Sequence, residues 1–276
     1  MKKTVIAIAV AAAFAAGSAQ AASFVNGGFD GPVAGDAGTI NGWLAGGGNA
    51  GISSRSSLLN NNPAFTPANW LPGGTHYNAA NSNSSIIAAG TVDPTQGALL
   101  GSTVYSGNYS YRVENTTNGG FASAIGQTVV NYTDANIFFA WKAVLDGAHG
   151  PNDAATLKIN LRDDTDGIDL ITRTYNAASG GGGVDPRFVH NVAQDDYYTP
   201  DWQIEQLAIG AALSGHTFTL SVLAADCQPT GHYGYVYLDG FGAVTPPTGT
   251  VSEPASLVLV GLGLAGLAST RRRKSA

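Results

Sequence analysis

Nine residues, Ile137-Phe138-Phe139-Ala140-Trp141-Lys142-Ala143-Val144-Leu145, form a nearly unbroken apolar run. The run has no polar face at helical spacing. Its length and its aromatic content suit a central strand buried on both faces of a sheet. Its neighbours read the same way. Tyr109 to Glu114 and Thr156 to Arg162 alternate with period two, and Ala124 to Val130, Ile168 to Tyr175, Trp202 to Ile209, Thr217 to Leu223 and Gly234 to Val244 complete the set. Asp163-Asp164-Thr165-Asp166-Gly167 is a turn between two arms of a hairpin, and Ser179 to Gly183 is a glycine-rich loop.

Residues 31–100 are poor in regular pattern. Gly46-Gly47-Gly48 and Asn60-Asn61-Asn62-Pro63 predict long loops with short strands. Glycine is abundant at 37 residues, charged residues are only 12%, and no segment keeps a helical apolar period. The expected fold is all-β, a jelly-roll-like β-sandwich with long loops.

The two ends have a different character. Met1-Lys2-Lys3-Thr4 is basic, Val5 to Gly17 is apolar and small, and Ala19-Gln20-Ala21 offers the small-x-small pattern of a cleavage site. These are the parts of a secretory signal, and the mature chain is expected to start at Ala22. At the other end Ser252-Glu253-Pro254 precedes an apolar stretch from Ala255 to Ala268, and Arg271-Arg272-Arg273-Lys274 follows it. That is a short membrane helix with a basic cluster on the cytoplasmic side, which leaves the body outside. The expected division is a signal peptide at 1–21, a β-sandwich domain at 22–245, a linker and sorting motif at 246–254, and a transmembrane helix with basic tail at 255–276.

Six of the 13 basic residues and one of the 19 acidic residues lie in the two ends. The body therefore holds seven basic against 18 acidic residues, a net charge near −11. This argues against nucleic acid as a partner, because phosphates need a basic face. Cys227 is the only cysteine, so the chain forms no internal disulfide, and its place after the apolar run Leu220 to Ala225 predicts burial.

The order of Glu253-Pro254, apolar helix and arginines resembles the PEP-CTERM sorting signal, with Ser252 where that family usually has proline. The resemblance implies an exosortase-type enzyme as partner and an inner-membrane stage before processing. The destination it implies is the cell surface or extracellular matrix of a Gram-negative bacterium, with a role in biofilm. A plain tail anchor shares this topology and differs in whether the tail is later removed. Asn26-Gly27-Gly28-Phe29-Asp30, Gly107-Asn108-Tyr109-Ser110-Tyr111-Arg112-Val113 and Val236-Tyr237-Leu238-Asp239-Gly240-Phe241 resemble carbohydrate-binding-module and galactose-binding-like jelly rolls. Ala225 to Asp239 is also similar to a segment of bacterial adhesin-like surface proteins. In such jelly rolls the first and last strands lie side by side. The resemblance thus makes Asp30 and Asp239 candidate ligands of a structural calcium. It also makes exopolysaccharide a candidate partner, with Trp43, Trp70 and Tyr77 as candidate sugar platforms and Tyr197, Tyr198 and Trp202 as a second group.

Catalytic signatures are absent. Asp163, Asp164, Asp166 and Asp169 suggest an EF-hand, but Arg162 and Arg173 stand where ligands belong, so a solvated hairpin tip is expected. His76, His149, His190, His216 and His232 show no metal-ligand spacing, no G-x-S-x-G is present, and the body has only Glu114 and Glu205 as glutamates. The reading is a non-enzymatic exported surface protein, with a carbohydrate-binding module as the alternative and a secreted hydrolase as the third choice.

Overall fold

The computed structural model describes residues 24–30, 39–40, 42–49, 60–78, 82–150, 152–178, 185–227 and 231–242. The expected signal segment, the Ser179 to Gly183 loop, the linker, the sorting motif and the expected C-terminal helix lie outside the described residues. The described chain is two antiparallel sheets. The first runs β1 (Thr39–Ile40), β2 (Trp43–Asn49), β5 (Phe121–Tyr132), β12 (His216–Ala225), β7 (Thr156–Asp163), β8 (Ile168–Asn176) in spatial order. The second runs β3 (Ser85–Ala88), β4 (Tyr109–Val113), β13 (Gly234–Gly242), β6 (Asn136–Asp146), β10 (Asp196–Tyr198), β9 (Val189–Asn191), with β11 (Gln203–Ala208) also paired to β6. This is the all-β sandwich that the alternating segments predict.

Period-two alternation decides which residues meet between the sheets. From β6 come Ile137, Phe139, Trp141, Ala143 and Leu145; from β12 Phe218, Leu220, Val222 and Ala224; from β7 Leu157, Ile159 and Leu161; from β13 Val236 and Leu238. The intervening residues face outward, and many of them are covered too. Val144, Tyr235 and Tyr237 form a second apolar cluster with Ile87, Leu100 and Tyr198. Ala122, Ala124, Leu223 and Ala225 form a third with Phe65, Trp70 and Leu71. The irregular segments 60–77 and 89–105 are thus the outer cover of the two sheets.

The triple glycine is a correction to the sequence reading. Gly46-Gly47-Gly48 lies inside β2, paired with β5 through Gly46↔Ala124, Gly47↔Ser123 and Gly48↔Ala122. Glycine is required here by close approach. A Cβ on Gly46 would overlap the Trp70 carbonyl and stand 2.7 Å from the Tyr77 ring. The opening segment is a second correction, because Phe24 to Asp30 is a turn and not a strand. It is held beside the last strand by Phe241 N–H donating to Gly27 O at 3.0 Å.

Trp43 seals this end of the sandwich. It is 1% exposed, and its ring contacts Phe24, Phe29 and Phe241 at centroid distances of 6.2, 5.5 and 4.6 Å. Its indole N–H donates to Val25 O at 3.0 Å, with a longer contact of 3.3 Å to Asn26 O. Trp43→Ala is expected to cost about 3–5 kcal/mol, the range for truncating a buried aromatic. Trp43→Phe, which keeps a ring and loses the donor, should cost less. Urea midpoints of the three proteins measure this, and unchanged midpoints would remove Trp43 from the role of seal.

Candidate functional site

Asp30 and Asp239 converge on one segment, residues 105–109. Asp239 sits on β13, wholly buried, and its Oδ2 accepts the backbone N–H groups of Tyr105 at 2.9 Å and Ser106 at 3.0 Å. Its Oδ1 accepts the Gly240 N–H at 2.7 Å. Asp30, at the exposed end of the opening turn, accepts the N–H groups of Asn108 at 2.7 Å and Tyr109 at 3.1 Å through Oδ1. Gly107 stands between the two anchor points with φ of 69°, and a Cβ there would overlap the Asp30 carboxylate. The pair therefore joins three distant parts of the chain: the opening turn, the approach to β4 and the last strand.

The electrostatics of this junction are one-sided. Neither carboxylate has a lysine or arginine ion-pair partner among the described residues. Burial pushes the Asp239 carboxyl up to about 7, against the pull of its three backbone N–H donors, and the nearby Asp30 charge pushes the same way. The residues present suit a hard cation. Asp30 Oδ2 and Asp239 Oδ1 lie 3.3 and 3.8 Å from the point where a Cβ on Gly28 would stand, so the glycine leaves a cleft between two carboxylate oxygens. Oxygen donors of this kind match calcium.

The candidate sugar platforms fare differently. Trp43 and Trp70 are 1% and 0% exposed, and Trp70 packs on Phe65 at 5.4 Å. A ring with no open face cannot stack on a sugar, so both are core residues. Trp70 lies in a polar loop that folds back over the first sheet as cover, and Trp43 opens strand β2. Tyr77 is half-buried against Gly46. In the second group Tyr198 is buried, Tyr197 stacks on His190 at 4.6 Å, and Trp202 contacts Tyr105 edge-on at 5.7 Å while donating to Ser102 O. No single open row of rings results.

The outer face of the second sheet is closed by hydrogen bonds as well as by apolar contact. Asp93 accepts the hydroxyls of Tyr235 at 2.9 Å and Tyr237 at 2.7 Å, and Lys142 donates to Leu100 O at 2.6 Å. Burial lowers the Lys142 ammonium to about 8. The first sheet keeps an opening over β7 and β8. A cavity of about 270 Å³ is lined by Asn60, Asn152, Thr156, Lys158, Thr174 and Asn176. A second of about 210 Å³ adjoins it through Lys158 and Thr174. Amides and hydroxyls line this groove together with Lys158, Asp169 and Arg173, and no aromatic ring is among its lining residues.

The aspartate-rich hairpin tip is solvated as expected, with Asp164, Asp166 and Asp169 exposed, and only Asp163 at the end of β7 is buried. Asp163 is 1% exposed, caps the turn by accepting the Thr165 and Asp166 N–H groups, and pairs with His216 Nδ1 at 2.8 Å. Those bonds outweigh its burial and lower its carboxyl, and the His216 imidazole is raised by the same contact.

Among solved structures the chain is similar to TmCBM61, determined in complex with β-1,4-galactotriose. The two are 10% identical, with 79% of this chain and 93% of that one covered, at a TM-score of 0.37. It is also similar to the K2 cleaved adhesin domain of Lys-gingipain, at 13% identity, 80% and 96% coverage and a TM-score of 0.37. A structure described as CBM4 gives 12%, 78% and 95%, and 0.31. None of these likenesses bears on ligand or activity. The chain matches no curated protein. At its C-terminus it matches the family described as PEP-CTERM protein-sorting motif, over residues 250–274. Together with the order of Glu253-Pro254, apolar stretch and Arg271 to Lys274, this match identifies the chain as one that carries a PEP-CTERM protein-sorting motif.

Proposed function

We propose that this chain is a non-enzymatic component of the cell surface or extracellular matrix of a Gram-negative bacterium. It is exported through its signal peptide, held in the inner membrane by its tail, and handed to an exosortase-type enzyme. The match over residues 250–274 carries this reading, since a sorting signal at that end has meaning only for an exported body. The four basic residues from Arg271 to Lys274 favour a cytoplasmic tail end. Exported material should begin at Ala22, and deletion of residues 252–276 should release the body into the soluble fraction. N-terminal sequencing and membrane fractionation read the two outcomes. A deleted form that still sediments with membranes would show that the tail is not the anchor.

The same proposal assigns a structural calcium to Asp30 and Asp239, closing a body that has no disulfide. A ligand bound only to the folded state stabilises it by about 2.7 kcal/mol at a hundredfold excess over Kd. At roughly 2–4 °C per kcal/mol for a domain of this size, chelation should lower Tm by several degrees. The sign of the pH effect follows from the raised Asp239 carboxyl. Its contribution is fully present below the unfolded value of 3.8 and is lost as pH rises through about 7. Chelated protein should therefore lose stability between pH 4 and 7 relative to Asp239→Asn, and calcium should suppress that loss. Equal melting temperatures with calcium and with chelator would overturn the assignment.

A second reading, exopolysaccharide binding, is supported by the amide-lined groove over β7 and β8, whose side chains suit sugar hydroxyls. Thr174 is exposed on its floor. Thr174→Trp should fill the groove and weaken glycan binding at least tenfold in a glycan screen. Binding that persists at full strength would place the sugar elsewhere.

A further inference from the structure

The sequence separates His149, Cys227 and His232 by as many as 83 positions, and the fold brings them to one point. His149 lies in the β6–β7 connection, Cys227 just after β12, and His232 in the β12–β13 connection. Cys227 Sγ is 3.1 Å from His149 Nδ1 and 3.4 Å from His232 Nδ1. One ligand atom from each of the three side chains lies within 4.8 Å of the others. The two imidazole rings sit 4.6 Å apart at 53°.

From this geometry we infer a second metal centre, a Cys-His-His site for a borderline transition-metal ion of the zinc class. Zinc bound at about 2.3 Å from sulfur and about 2.0 Å from nitrogen holds those ligands roughly 3.5 Å apart in a tetrahedron. The two sulfur–nitrogen separations here fall close to that figure. Thiolate and imidazole select zinc, copper and related ions over calcium, so this centre is chemically distinct from the Asp30–Asp239 junction.

The backbone around the site is shaped for it. Cys227 N–H donates to His232 O at 3.1 Å, which ties the two residues together. Gly147, beside His149, leaves room for the His232 ring, because a Cβ there would stand 2.8 Å from His232 Nε2. Gly231, beside His232, returns the arrangement, with a φ of 124° and a Cβ position 3.4 Å from the His149 ring. Each segment thus presents a glycine to the other segment's imidazole. Cys227 is fully buried while His149 is exposed. The sulfur is sheltered from other thiols and the metal has a route in from solvent. Three protein ligands leave the fourth tetrahedral position for water or a ligand from outside.

The test uses the full-length protein in detergent, stripped of metal and titrated with Zn²⁺ and, as a spectroscopic probe, Co²⁺. One equivalent of Co²⁺ should produce a thiolate-to-metal charge-transfer band in the near ultraviolet and visible bands of tetrahedral intensity. Zn²⁺ should bind one to one and displace them. Cys227→Ser should abolish the charge-transfer band and weaken Zn²⁺ at least 100-fold. His149→Ala, at an exposed position where folding is not at stake, should weaken it at least tenfold. Absence of the charge-transfer band in the wild-type protein would overturn the centre. So would equal Zn²⁺ affinity of wild type and His149→Ala.

Discussion

Part of the outer face of each sheet in this sandwich is apolar, and the irregular segments answer that constraint. A sandwich usually hides one face of each sheet and leaves the other to water. Here Tyr235 and Tyr237 on one side, and Leu223 and Ala225 on the other, point away from the central core and would be exposed without a further layer. The chain supplies that layer from segments 60–77 and 89–105. These carry little secondary structure because their work is done by a few anchors: Phe65, Trp70 and Leu71 on one face, Leu100 and Asp93 on the other.

Cover of this kind brings polar backbone against apolar sheet, and each buried polar group then needs a partner. Asp93 takes the two tyrosine hydroxyls, and Lys142 gives its ammonium to loop carbonyls. Asn60 donates to Ala154 O and to Asp226 O at 2.9 Å, pinning one cover segment to the chain just before β7 and just after β12. Close approach of the cover explains Gly46 of β2, where a side chain would overlap the Trp70 carbonyl. Among the described residues, much of the outer sheet surface is occupied by the chain itself.

The seams are where distant segments meet. Asp30 and Asp239 clamp the opening turn and the last strand to residues 105–109. At another seam, the β6–β7 and β12–β13 connections bring His149, Cys227 and His232 together. The two junctions differ in donor chemistry, oxygen in one and sulfur with nitrogen in the other. In each, glycines leave room for the side chains that meet there.

The amino-acid sequence by itself determined the strands with strong local signal. Ile137 to Leu145, Thr156 to Arg162 and Gly234 onward were legible because side-chain alternation and unbroken apolar runs are properties of neighbouring residues. The sorting motif was legible for the same reason, as a contiguous order of polar, apolar and basic residues. Only the tertiary structure decided that Gly46-Gly47-Gly48 is a strand, since its reason is the approach of Trp70 and Tyr77 from another segment. Tertiary structure also decided that Trp43 and Trp70 are core rather than surface, because a polar loop around an aromatic does not say which side of it faces solvent. The meeting of His149 with Cys227 and His232 was invisible to any spacing rule. It depends on which strands pair, and strand pairing is a long-range choice made by the packing of the two sheets.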